Sequence, residues 1–181
     1  MNWNELLSNH KKDIFDHWYA LVVATYPEET AKFLKSQQDQ FANPVGSTFR
    51  SSMMGILDGL ANGKAPEELV GLIDDIMHIR AVQDFIPSRA VAVFLLLKEA
   101  VVHFIDKKKL SASDALMELS SLVDRLQLIA FDTYMKCREK LWEIKYNEFM
   151  HRPFFAEVGM CPSYLLKKGI LGRQADKNNI S

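Results

Sequence analysis

Cysteine is scarce in this chain: Cys137 and Cys161 are the only two in 181 residues, too few for a disulfide scaffold or a four-thiolate zinc site. An excess of one charge is also lacking. Twenty-two basic against 23 acidic side chains leave a net charge of −1, without the basic surplus that nucleic-acid binding requires. Glycine (8) and proline (6) are few. No phosphate-cradling glycine loop, Ser/His/Asp order or CxxC pair occurs, so nothing points to an enzyme. Long apolar runs are missing too. The longest, "AVAVFLLLKEAVVHFI", is interrupted by Lys98 and Glu99 and falls short of the ~20 residues that span a bilayer. The opening "MNWNELLSNHKKDIF" carries no basic segment followed by an apolar core. No signal peptide is therefore expected, and the cytoplasm is the expected location.

What is present is helical periodicity, almost without pause, and no stretch that alternates as a strand. A first helix is expected over residues 4–25, with Leu7, Ile14, Trp18 and Leu21 along one face. Pro27 and two glutamates open a short second helix ending near residue 38. "FANPVGS" reads as a loop, followed by a helix over residues 47–61 that stops at "NGK". Pro66 opens the next, turning Leu69, Leu72, Ile73, Ile76 and Met77 inward. Pro87 starts a fifth long helix, apolar almost all round, which belongs at the centre of a domain. Phe85 and Ile86 are expected to pack beneath it. Ser111 reads as the N-cap of a last helix continuing to residue 152, where Pro153 ends it.

That last helix is the most informative element. About 38 residues at ~1.5 Å each span about 57 Å, whereas a domain of this size has a radius of gyration of about 16 Å. Its first half carries one stripe, Leu116, Leu119, Val123, Leu126 and Ala130. Its second half, "KCREKLWEIKYNEFMHR", mixes charge with apolar residues that one face cannot bury together. Lys136, Leu141, Trp142, Ile144, Tyr146 and Phe149 are therefore the candidate dimer or partner interface. The tail, residues 153–181, is apolar first and polar only after Gly172, which suits a docking segment better than a disordered one.

Candidate chemistry is thin. Three acid–histidine pairs stand one helical turn apart: Asp13 with His17, Asp74 with His78, and Glu99 with His103. None has the Glu-x-x-His spacing of a ferritin-like di-metal bundle, so they read as surface pairs and no metal is expected. His78 comes just before a corner and a central apolar helix, which makes it the one candidate haem ligand. Its polar neighbours Asp74, Asp75, Arg80 and Asp84 favour a solvent-facing histidine instead, and no cofactor is expected. Arg80, Gln83 and Phe85 in the same corner form the candidate signal pocket. Cys161 in "GMCPSY", near Lys167 and Lys168, is a candidate redox thiol for an adaptor role, against a plainer role as a small apolar anchor.

Three segments in order, "TYPEETAKFLKSQQDQFANPVGSTFR", "IRAVQDFIPSRAVAVFLLLKEAV" and "AFDTYMKCREKLWEIKYNE", resemble the N-terminal domain of the RsbR family, the RsbT co-antagonist proteins of the stressosome. The resemblance covers residues 6–152. It implies a globin-like fold without haem, a dimer, and a sensory role in stress-response signalling, the last helix leading to a STAS domain. Two departures stand out. The residues after Arg152 are too few for a STAS domain of roughly 100, and Ile86 stands where a capping Ser or Thr would precede Pro87. The expectation is thus an all-α, globin-like helical bundle over residues 1–152 with an extended C-terminal helix, then the tail. It would act as a non-catalytic regulatory or sensory module that dimerises and signals to a protein partner, with neither nucleic acid nor membrane insertion involved. A haem or small-ligand sensor centred on His78 and a redox adaptor using Cys161 are the alternatives.

Overall fold

Helix-forming sequence with well-placed caps produces seven α-helices and one 3-10 turn in the computed structural model, which describes residues 1–36 and 43–150. They are α1 (Trp3–Val23), α2 (Glu28–Ser36), α3 (Pro44–Ala61), the 3-10 turn Pro66–Leu69, α4 (Val70–Val82), α5 (Pro87–Val91), α6 (Val93–Lys108) and α7 (Ser113–Met150). Among the described residues there is no strand, and the fold is all-α. No helix among them is long and apolar enough to cross a membrane. The chain divides into two units, Met1–Glu139 and Lys140–Ser181.

Local chemistry explains where the helices begin. Asn2 caps α1 by accepting from the Glu5 N–H at 2.8 Å, while the Glu5 carboxylate accepts from the Asn2 N–H at 3.1 Å. This reciprocal box moves the start to Trp3, which is buried. The "NP" of the expected loop is a helix start: the Asn43 side chain accepts from the Gly46 N–H at 2.8 Å and Pro44 takes the first helical position. α3 therefore begins three residues before Ser47. At the other end of the bundle α7 begins at Ser113, with the Ala112 carbonyl accepting the Leu116 N–H, so Ser111 is not its cap. The expected end at residue 152 lies outside the described residues, as does the end of α2 near residue 38.

The fifth helix is broken. Residues 87–91 and 93–108 form separate helices at Ala92, where ψ is −13°. Beside the break the Trp18 indole N–H donates to the Val93 carbonyl at 2.7 Å, in the interior. In a continuous helix the Val93 N–H would donate to the Arg89 carbonyl, which instead accepts from the Arg80 guanidinium at 2.9 Å, and a side chain reaching into the ladder there accounts for the interruption. Nor is α6 apolar-buried all round, since Leu95 is 49 % exposed, and Ile86 at the corner is 56 % exposed where it was expected to pack. The broad apolar surface of α6 serves a central position only on its Val93, Phe94, Leu97, Val101 and Ile105 side.

Within Met1–Glu139, α1 packs on α6 and on α3, and α3 packs on α4. Leu6, Leu7, Ile14, Phe15 and Trp18 of α1 are all fully buried, as are Met53, Ile56 and Leu57 of α3. α7 contributes Ala115, Leu119, Val123, Leu126, Ala130 and Tyr134, so the stripe expected on its first half is core apart from the half-buried Leu116.

The α3–α4 approach depends on glycine. A Cβ at Gly59 would stand 2.4 Å from a Leu69 methyl, and one at Gly55 2.9 Å from a Leu72 methyl. Gly71, on α4, has open space around it. Gly59→Ala is therefore expected to lower stability by about 1–3 kcal/mol through overpacking, while Gly71→Ala raises it by about 0.5–1 kcal/mol through helix propensity. Urea denaturation of the two variants checks both signs.

On the α1–α6 seam the His17 and His103 rings stack with centroids 4.4 Å apart. Partial burial, then repulsion from His103, holds the His17 imidazole below its ordinary 6.5, with Glu99 opposing. The unfolded chain therefore takes up a proton first as pH falls, so this group's contribution is intact above about 6.5 and is lost as pH drops toward the folded value. His17→Gln should flatten that acid slope, measured by urea melts between about pH 5 and 7.5.

Candidate functional site

Inward positions of α4 recur at Ile73, Ile76 and Met77, and the next residue in that pattern is Arg80. The helix thus drives a guanidinium into the core, where Arg80 is 0 % exposed. Its Nη1 donates to the Arg89 carbonyl of α5 at 2.9 Å, and its Nη2 donates to the Thr25 hydroxyl, just past α1, at 3.2 Å. That hydroxyl in turn donates to the Val22 carbonyl at 2.7 Å. Three aromatic rings complete the surroundings: Phe85, Tyr26 and Phe49 have their centroids 4.5, 5.4 and 5.6 Å from the guanidinium carbon. Among the described residues no carboxylate pairs with Arg80, and its Nε–H has no acceptor.

Burial without a counter-ion holds the Arg80 guanidinium below its ordinary range, and Tyr26 partly opposes the shift. Removing such a charge from water costs several kcal/mol. Two charged hydrogen bonds of about 1.5–3 kcal/mol each and three ring contacts of up to about 2 kcal/mol each are of the size needed to offset it.

The corner that follows is built on a left-handed residue. Asp84 adopts φ 57°, which lets the Phe85 N–H donate to the Arg80 carbonyl at 3.2 Å and the Asp84 N–H to the Ala81 carbonyl at 3.2 Å, closing α4. The Tyr26 hydroxyl donates to the Gln83 side-chain oxygen at 3.1 Å, and its ring meets Phe85 edge-on at 5.1 Å. From α7, the Tyr134 hydroxyl donates to the Phe85 carbonyl. Arg138 donates to the Ala81 carbonyl at 3.3 Å and pairs with Asp84 at 2.5 Å. One corner thereby joins α1, α3, α4, α5 and α7.

The structure brings Arg80, Gln83 and Phe85 together at this corner, Arg80 buried, Phe85 half-buried and Gln83 exposed. His78 lies away from them, exposed in a depression with Pro44, Val45, Thr48, Asp74, Asp75 and Ile79. Asp13, His17 and His103 do share a depression with Asp16, Lys107 and Lys108, yet among the described residues no three His, Cys, Asp or Glu side chains could hold a metal ion. Lys136 is exposed on α7. In the second unit Trp142, Ile144 and Tyr146 are 65 %, 48 % and 53 % exposed, while Leu141 and Phe149 are half-buried. Cys161 and the tail lie outside the described residues.

Thr25, Tyr26, Phe49, Tyr134 and Arg138 escaped the sequence reading. The spacing of Tyr134 and Arg138, one turn apart on a helix that buries Ala130 and Thr133, was the signal open to it. Tyr134→Phe, which leaves the Phe85 carbonyl without its donor, is expected to cost about 1–2 kcal/mol. Burial raises the Tyr134 hydroxyl above its ordinary 10.0, so the unfolded chain ionises first and stability falls as pH climbs through that value. Part of this alkaline loss should vanish in Tyr134→Phe, compared with wild type by urea melts near pH 9 and pH 11.

The profile of the family described as "RsbT co-antagonist protein rsbRD N-terminal domain" matches residues 12–148. An uncharacterized protein of Archaeoglobus fulgidus is 24 % identical over 143 residues, covering 76 % of this chain and 83 % of its own length. No solved structure matches.

Proposed function

Because the chain belongs to the family of RsbT co-antagonist protein rsbRD N-terminal domains, regulatory modules of stress signalling, we propose that it is a non-catalytic sensory module that dimerises and signals to a protein partner through α7. The observation that carries this reading is the convergence of five helices on the Arg80 corner, with Tyr134 and Arg138 of α7 among the groups that hold it. A change at Thr25, Tyr26 or Phe85 is felt at α7 through the Phe85 carbonyl and the Asp84 carboxylate. The same helix continues into Trp142, Ile144 and Tyr146, large apolar side chains about half or more exposed. Apolar surface of this kind is what an interface covers, and with Lys136, Leu141 and Phe149 it forms the partner- or dimer-facing part. A globin-like arrangement of the helices, cytoplasmic location, and docking by the tail belong to the same proposal, as what the family resemblance and composition support.

Sedimentation of the full chain tests it. Wild type should sediment as a dimer, and the double substitution Trp142→Glu, Tyr146→Glu should give a monomer that keeps its helical circular dichroism, since neither residue is buried within the single chain. A chain truncated after Met135 that dimerises and binds partners as well as the full chain would sink the idea.

A further inference from the structure

The Arg80 cage holds a full positive charge and an unused Nε–H and, among the described residues, no negative group. It also lies just one layer of side chains below the surface. Its outer wall is Tyr26 and Phe85, both half-buried, with the exposed Thr25 and Gln83 on either side. Toward each other the two wall residues make only an edge-on ring pair, and toward Gln83 the 3.1 Å bond from the Tyr26 hydroxyl; their other side-chain contacts are to Arg80 itself.

We propose that this corner is the binding site of a small monocarboxylate with an apolar or aromatic body, which parts Tyr26 from Phe85 and pairs with the Arg80 guanidinium. The inference rests on the sensory reading above and names the ligand class for it. The chemistry selects that class in three ways. An anion reaching Arg80 supplies the counter-charge absent among the described residues, and because the guanidinium is already out of water in the folded chain, the pair forms at the cost of the anion's desolvation alone. A single guanidinium, with Nη1 and Nη2 each already donating once, neutralises one negative charge and leaves a dianion such as phosphate with an unpaired one. Three aromatic rings surround the guanidinium, and a ligand that parts two of them meets their faces, which favours a carbon skeleton over a naked ion. Entry at Phe85 also disturbs the residue whose carbonyl accepts from Tyr134 of α7.

Sodium benzoate is the probe, titrated into the full-length protein at constant ionic strength, with acetate and inorganic phosphate as comparisons. The readout is the arginine Nε–H region of the ¹⁵N NMR spectrum, the Arg80 signal being the one absent in Arg80→Lys. That signal is expected to move saturably with benzoate, more weakly with acetate and not with phosphate. A tenfold excess over Kd should raise the Tm by about 4 °C. Arg80→Met, which replaces a buried charge by an apolar chain of similar length, should keep the fold and lose the benzoate response. An Arg80 signal that benzoate leaves unmoved overturns the proposal, as does a phosphate response equal to that of benzoate. If neither Arg80 variant folds, the wild-type spectrum decides alone, with the signal assigned through its contact to Phe85. Sedimentation of the same sample separates this from the parent reading: a saturable Arg80 shift in a chain that sediments as a monomer supports the site and overturns the dimeric reading, whereas a dimer whose Arg80 signal benzoate leaves unmoved overturns the site alone.

Discussion

A guanidinium withdrawn from water at the end of α4 is satisfied only when four other elements stand in the right places. Thr25 must follow α1 with its hydroxyl turned inward, Arg89 must present its carbonyl from α5, and Phe49 of α3 must lie alongside. Asp84 must then adopt its left-handed turn so that Phe85 returns over the charge. None of these contacts is strong alone, and a buried cation tolerates the loss of none of them cheaply. The charge thus enforces a geometry that greasy packing alone would leave adjustable. The same property makes the corner sensitive to any group that offers the missing counter-charge.

The helices were legible because amphipathic period and punctuation are local. Pro87 and "NGK" marked boundaries that the structure keeps, and the α7 stripe is the core stripe except for Leu116, which is half-buried. What was not legible came from partners distant along the chain. The bond from Trp18 to Val93 joins residues 75 positions apart, the break at Ala92 goes with the Arg89 carbonyl turning to Arg80, and the Asn-Pro pair at residues 43 and 44 serves a cap where its composition suggested only a loop. Arg80 was singled out as part of a polar corner, but its burial needed the α4 inward pattern followed one step further. Its cage comes from residues up to 55 positions away, and no spacing rule connects Thr25 or Tyr134 to it. His17 and His103 were each read as halves of separate acid–histidine pairs, and only the docking of α1 on α6 stacks their rings.

Family membership and geometry bear on different parts of the chain. The family match ends at residue 148, within α7, and so takes in both the corner and the exposed aromatic residues beyond it. The structure adds the physical link from that corner to α7, through Tyr134 and Arg138.

The bond from Trp18 to Val93 also has a meaning for synthesis. α1 is made first, but the surface that covers its Trp18 side is α6, 75 residues later. At a translation rate of about 5–20 residues per second, that face waits roughly 4–15 s for its partner. Over that interval Leu7, Ile14 and Trp18 present an apolar strip on a nascent chain, a surface that invites a holding chaperone or a neighbouring ribosome's product.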